Sequence, residues 1–304
     1  MECSIVLSAY CGEKYLRAQL DSILNQSRSP DEIIVIDDCS PDNGVTERII
    51  DEYAGNYPSI KKYCNPKNMG WAASFMNGIK YATKDFVFFS DQDDIWDSEK
   101  IQSMMSIMEK EKLNVLISDW QNVDENLKPL QQKQWTELLV SDRFQFGKSF
   151  IKPKGVGAAM AIRKDFMDKY YELWNPLVGH DHFYQIITVC FDTLYYLDKP
   201  LIYHRFHESN ATGVARRSFD ASNRIESTKG LVQLVSDIQK SSFSKELDED
   251  KNKILRGYIK FGNARIEMLK EKSVLKWVCM AAYGLAYYPT KNTWMGDLLS
   301  IVKG

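Results

Sequence analysis

The sequence predicts an α/β fold: a mostly parallel sheet with helices on both faces, followed by a C-terminal helical extension. Two observations predict it. Short apolar runs alternate with segments whose apolar residues recur at helical spacing, from residue 4 to about residue 120. Polar clusters sit just after three of the apolar runs, where open α/β sheets bind their ligands. The chain of 304 residues, 44% apolar and 26% charged, has ample material for such a core.

The elements follow in order. "SIVLSAY" (Ser4 to Tyr10) is a first strand, and "YLRAQLDSILNQS" carries Leu16, Leu20, Ile23 and Leu24 on one helical face. After the break at Pro30, "DEIIVIDD" is a second buried strand, and "CSPDNG" is a turn leading to a helix from about Val45 to Tyr53. "SIKKYCN" reads as a strand, "GWAASFMNGIKYAT" as a helix and "DFVFFS" as a fourth strand. A helix from Ser98 to about Lys110 and the strand "NVLIS" come next. Residues 121–154 have weak periodicity and read as loops with a short helix. "GAAMAIRK" is a further strand, helices start near Lys164 and His180, and "TLYYLDKPLIYHRFHESNATG" holds two short strands and a polar loop. From about Ala221 the chain reads as helices to its end.

Lys plus Arg number 39 against 41 Asp plus Glu, which gives no reason to expect nucleic acid as the partner. The opening "MECSIVLSAY" has no charged leader and no cleavage site. Six cysteines lack CxxC and zinc-site spacing, so a reduced, cytoplasmic chain is expected. "VLKWVCMAAYGLAYY" is too short for a membrane span. "SNAT" offers an N-x-T pattern at Asn210 that carries no weight without a secretory leader.

The segment "FVFFSDQDDIW" poses the chemical question. Asp91, Asp93 and Asp94 follow a buried strand directly and repel one another unless a cation or hydrogen-bond donors compensate them. Mg²⁺ or Mn²⁺ takes oxygen ligands, often one or two carboxylates plus substrate phosphates, so a D-x-D pair can hold a metal that bridges to a diphosphate. The plainer reading makes these acids strand terminators and caps for the following helix.

Six ordered segments tip the balance: "SIVLSAYCGEKYLRAQLDSILNQS", "PDEIIVIDDCSPDNG", "NMGWAASFMNGIKYATKDFVFFSDQDDIW", "GVGAAMAIRK", "GHDHFYQII" and "YLDKPLIYHRFHESNATG". Together they resemble the family-two glycosyltransferases of GT-A (Rossmann-like) fold, most closely the bacterial rhamnosyltransferase-type enzymes of capsule and O-antigen assembly. The resemblance covers residues 1–215, expected as the catalytic domain. Residues 216–304 are left as a helical region for packing, oligomer contact or membrane-surface association.

The resemblance implies that Ser8, Tyr10 and Glu13 line the nucleotide pocket, that Asp38 accepts a hydrogen bond from the base, and that Asn68 lies near the nucleotide. It makes Asp93 the chief ligand of Mg²⁺ or Mn²⁺, with Asp91 nearer the ribose and His207 reaching back to the metal. Gly157 lets a sugar approach the backbone, Arg205 contacts the diphosphate, and Asp181 is the catalytic base. His180 and His204 compete with His207 for the metal role, and Asp181 also fits a plain helix N-terminal acid.

The implied donor is a dTDP- or UDP-sugar. The implied acceptor is a saccharide, lipid-linked in one reading, met at the inner face of the plasma membrane; a homodimer is a further expectation. The chain departs from the family at Cys11, Cys39, His182, Phe183 and His204. The last three fall on the acceptor side and leave the sugar open. Two other readings stand beside this one. A dinucleotide-binding oxidoreductase is weakened because "SAYCGEKYL" has one glycine where G-x-G-x-x-G is required. A non-catalytic sugar-nucleotide-binding scaffold is opposed by the presence of Asp91, Asp93, Asp181 and His207 together.

Overall fold

A computed structural model describes residues 1–140, 146–207 and 221–303. The chain divides into two units: Met1–Arg143, Gly155–Lys169 and Thr193–His207 form one, and Phe144–Lys154, Tyr170–Asp192 and Glu208–Gly304 the other. The boundary expected at residues 215 and 216 lies outside the described residues. Residues 170–192, expected within the first domain, cluster with the helical unit.

The first unit is built on a nine-stranded sheet. Its strands are β1 (Cys3–Ala9), β2 (Glu32–Asp37), β3 (Ile60–Cys64), β4 (Phe86–Asp91), β5 (Ile95–Trp96), β6 (Val115–Val123), β7 (Leu139–Val140), β8 (Met160–Arg163) and β9 (Leu194–Arg205). The order is β3-β2-β1-β4-β8-β6-β9-β5, with β7 beside β9. β1 pairs parallel to both β2 and β4, and β2 parallel to β3. β8 runs antiparallel between β4 and β6, whereas β6 and β9 are parallel.

Helices α1 (Leu16–Leu24), α2 (Val45–Asn56), α3 (Trp71–Ile79) and α4 (Lys100–Lys110) connect the early strands. β2 is buried along its whole length, as a strand covered on both faces must be, and Phe86, Val87, Phe88 and Phe89 of β4 are all fully buried. Each such side chain contributes about 1.5–3 kcal/mol relative to exposure. The α3 helix lies close on the sheet: a Cβ at Gly78 would stand 2.4 Å from Val6 Cγ1.

Two expectations are revised. The segment read as two short strands is one strand, β9, which keeps pairing with β6 through register shifts around Asp119, the residue opposite Pro200. Proline cannot donate to a ladder, which explains both the break in the sequence pattern and the bulge. β6 also continues five residues past "NVLIS", from Asp119 to Val123, with alternate residues buried.

The second unit carries α6 (His180–Cys190), α7 (Ala221–Lys240), α8 (Glu249–Lys270), α9 (Val274–Tyr283) and α10 (Lys291–Lys303), while α5 (Lys164–Tyr170) belongs to the first unit except for its last residue. α7 and α8 meet closely at Gly262, where a Cβ would stand 2.2 Å from Val232 Cγ2. The hub of this unit is Asp297, fully buried, which accepts from Arg265 Nε at 2.7 Å, Arg265 Nη2 at 2.8 Å, Arg224 Nη1 at 3.0 Å and Tyr288 Oη at 2.8 Å. One carboxylate thereby ties α7, α8 and α10 together.

Candidate active site

The site lies at the carboxyl ends of β1, β2 and β4. β1 has β2 on one side and β4 on the other, so connections leave in opposite directions and open a crevice at the strand ends. Register brings Ser8 beside Asp91 across β1 and β4, and Ala9 beside Asp37 across β1 and β2. Three polar clusters separated in sequence thus share one edge, as their spacing in the chain predicts.

The loop after β1 is clamped by Gln92. Its Nε2 donates to Tyr10 O and its Oε1 accepts from Tyr10 N, both at 2.8 Å. Tyr10 itself projects outward, 42% exposed, and Glu13 is also exposed. Gly12 N donates to Thr46 Oγ1 at 2.7 Å, and a Cβ on Gly12 would press on Leu16 and on Gln92 Oε1 at 3.0 Å. The first loop is therefore held from β4 and α2 at once.

Asp38 is buried and organises the loop that contains Asn68. Its Oδ1 accepts from Asn65 Nδ2 at 2.7 Å and Met69 N at 2.8 Å, and its Oδ2 accepts from Gly70 N at 2.8 Å. Asn68 is exposed, and its Oδ1 accepts from the same Gly70 N at 3.1 Å. Gly70 has φ of +81°, the left-handed region in which glycine is at ease. Asp37 holds its own loop by accepting from Ser40 N and Ser40 Oγ.

The carboxylate cluster after β4 is compensated by the chain itself. Asp94, fully buried, accepts at Oδ1 from Arg205 N at 3.0 Å and meets His204 Nδ1 at 2.9 Å. Asp93 Oδ2 meets His207 Nε2 at 2.9 Å. Burial pushes the His204 imidazole down, but the hydrogen bond and charge of Asp94, with Asp91 and Asp93, lift it to about 9. Burial and the charge of Asp94 raise the Asp93 carboxyl, against the pull of His207 and His204.

Lys100 lies fully buried in the first turn of α4. Its ammonium sits 3.5 Å from the Trp96 ring centre and donates to Ala158 O. Burial drives its pKa well below the usual lysine value, opposed by Asp94 and Asp91. The repulsion that the sequence raises is thus met by His204, His207 and the Arg205 backbone N–H. Asp97 supplies the acid at the start of α4, accepting from Glu99 N at 3.0 Å, and that role does not fall to Asp93 or Asp94.

Arg205 is 5% exposed and its guanidinium is engaged by backbone: Nε donates to Asp93 O at 2.7 Å and Nη1 to Glu125 O. The same guanidinium lies 4.6 Å from the Tyr15 ring, and Tyr15 lies 4.9 Å from the His207 ring. Gly157 is buried in a short turn (Gly157–Ala159) that Lys100 fixes through Ala158 O. Asp181 belongs to the other unit, in the first turn of α6, where its Oδ1 accepts from His182 N at 2.8 Å. His182 Nε2 lies 2.6 Å from Ile151 O, and burial lowers the His180 pKa to about 4.

Within the first unit the structure therefore joins Ser8, Asp91, Asp93, Arg205 and His207 at one strand edge. Lys100, Gln92, Asn65 and Tyr15 escaped the sequence reading. Gln92 lies inside "DQDD" and could have been suspected, but Lys100 in "DSEKI" carries the signature of a solvated first turn. For Mg²⁺ or Mn²⁺ the donor chemistry fits: Asp93 and His207 already face each other at 2.9 Å, and such ions commonly take few protein ligands beside phosphates. Among the described residues no three His, Cys, Asp or Glu side chains converge as a cage, so the chain offers a pair with open positions.

The family model described as Glycosyl transferase family 2 matches residues 4–171, more than half of the chain. The chain belongs to that family. Among other members, a glycosyltransferase of Nostoc sp. is 26% identical over 218 residues, which make up 69% of this chain and 66% of that one, just under two thirds. The dTDP-rhamnosyl transferase RfbG of Shigella flexneri is 28% identical over 232 residues, 71% of this chain and 76% of that one. Of solved structures, S. aureus TarS 1–349 in complex with UDP superposes with a TM-score of 0.65 at 16% identity, covering 100% of this chain and 90% of that one. This family-two chain accordingly has the GT-A fold that its sequence predicts.

Proposed function

We propose that the protein is an inverting, metal-dependent glycosyltransferase that moves a sugar from a nucleoside diphosphate sugar to a hydroxyl of a growing surface polysaccharide. The observation that carries the reading is the Asp93–His207 pair, set beside the Ser8–Asp91 register at the crevice between β1 and β4. The family match supplies the reaction class, and the relation to RfbG favours dTDP-rhamnose as donor, with UDP-sugars next.

The base and ribose would lie along the Asp38 loop, Asn68, Tyr10 and Glu13, with Ser8 and Asp91 at the strand edge. Asp93 and His207 would hold Mg²⁺ or Mn²⁺ with the donor's phosphates, Asp91 of the same D-x-D lying nearer the ribose, and the ion when bound would offset the charge of the departing diphosphate. Arg205, held by Asp93 O beside the Tyr15 ring, would contact the diphosphate. The acceptor hydroxyl oxygen attacks the anomeric carbon, the bond to the diphosphate oxygen breaks, and the hydroxyl proton passes to the Asp181 carboxylate. A single displacement from the opposite face inverts the anomeric centre.

The test is thermal unfolding against a panel of dTDP- and UDP-sugars, with and without Mn²⁺. A ligand that binds only the folded state raises the midpoint, by about 5 °C at a hundredfold excess over Kd. A shift for one donor that requires Mn²⁺ and disappears in Asp93→Ala is expected. Equal shifts for that variant would remove Asp93 from the metal site, and no shift with any nucleotide would overturn the reading.

A further inference from the structure

The last two helices of the second unit carry an exposed apolar face that the donor chemistry does not use. Val274, Leu275 and Val278 of α9 are 47%, 74% and 53% exposed, at positions that share one helical face. Leu285 follows at 39%, then Met295 and Val302 of α10 at 44% and 67%. Leu275 and Val302 are the most exposed large apolar side chains among the described residues. Single exposed apolar residues are ordinary, but six within the 29 residues from Val274 to Val302 are not.

Within this segment the solvent-facing charge has one sign. Residues 272–303 hold Lys272, Lys276, Lys291 and Lys303 against a single carboxylate, Asp297. Asp297 is fully buried and consumed by Arg265, Arg224 and Tyr288, so it presents no charge to solvent. Lys276 pairs with Glu267 and Glu271 of the preceding helix and turn, and Lys272, Lys291 and Lys303 are exposed at the ends of α9 and α10. The whole chain carries a net charge of -2, so this cationic segment runs against its general sign.

We propose that the α9–α10 face binds an anionic lipid bilayer surface, with Leu275 and Val278 entering the acyl boundary and the lysines meeting the phosphates. Apolar side chains rimmed by lysines are what an in-plane interfacial helix requires. The indoles of Trp277 and Trp294, stacked at 4.2 Å with Trp277 Nε1 donating to Trp294 O at 2.9 Å, pin the two helices together. No helix among the described residues is long and apolar enough to cross a membrane, so the contact is to the surface. A second copy of the chain is a poorer occupant, because a two-fold contact would set this cationic face against itself.

The experiment is co-sedimentation of the full chain with vesicles of phosphatidylglycerol or of phosphatidylcholine alone, at low and high salt. Sedimentation velocity without lipid runs alongside. Wild type should bind the phosphatidylglycerol vesicles and be released by salt. Leu275→Asp with Val278→Asp, both exposed and therefore compatible with folding, should reduce partitioning by about tenfold or more. Failure of the wild type to bind, or undiminished binding by the double variant, overturns the proposal. A dimer that the same substitutions dissolve, with no vesicle binding, would assign the face to a second copy instead. None of these outcomes depends on the sugar chemistry.

Discussion

Asp38→Asn isolates what one buried carboxylate does for the nucleotide side of the site. The wild-type group accepts on both oxygens: Oδ1 from Asn65 Nδ2 and Met69 N, Oδ2 from Gly70 N. An amide has one acceptor end and one donor end. With its oxygen at the Oδ1 position, its NH₂ opposes the Gly70 N–H; reversed, it opposes two donors. Asn65 cannot turn to help, because its Nδ2 also donates to Ser74 Oγ at 2.7 Å and its Oδ1 accepts from Asn77 Nδ2 at 3.1 Å. At least one charge-assisted bond is lost and one buried N–H is left facing a donor. The cost is about 2–4 kcal/mol. Urea unfolding of wild type and variant measures it, and UDP affinity by calorimetry should fall in parallel because the 65–70 loop loosens. A stability change under about 0.5 kcal/mol would refute the loop-organising role. If UDP binding were then lost all the same, the carboxylate would act on the ligand alone.

Two further predictions concern α6 and the helical hub. Asp181→Asn keeps an oxygen for His182 N, so unfolding and donor binding should be unchanged while turnover falls about 100-fold or more; normal turnover in a sugar-transfer assay would dismiss Asp181 as base. Asp297→Ala strands Arg265, which is 6% exposed, and should cost about 3–5 kcal/mol in denaturant unfolding. Replacing the two most buried members together, Arg265→Met with Asp297→Leu, should recover part of that loss, Arg224 and Tyr288 still lacking their acceptor; a double variant as unstable as the single one would contradict the charge argument.

Much of the site was legible because the chemistry sits at strand ends. Apolar runs at residues 4–9, 32–37 and 86–90 announce buried strands, and the polar residues that follow each must share one edge of the sheet. β9 was misread because Pro200 interrupts its pattern, and β6 was cut short because "DWQNV" alternates on a strand that sequence alone cannot tell from a loop. The anchoring of Arg205 escaped the sequence for a different reason. A basic residue before the late histidine invites a phosphate contact, and only the packing shows its guanidinium also donating to Asp93 O and Glu125 O.

The sequence by itself determined the α/β architecture, the strand ends that carry the carboxylates and the family to which the chain belongs. These depend on local periodicity and on short ordered motifs, which survive without knowledge of contacts. Only the tertiary structure decided which charges answer Asp91, Asp93 and Asp94. Those answers come from β9 and the turn after it, more than a hundred residues later, and the burial of Lys100 beside Trp96 and Ala158 is likewise signalled by no local pattern. Charge compensation acts through space across a few ångströms, so it is written in the packing of the chain and not in its spacing.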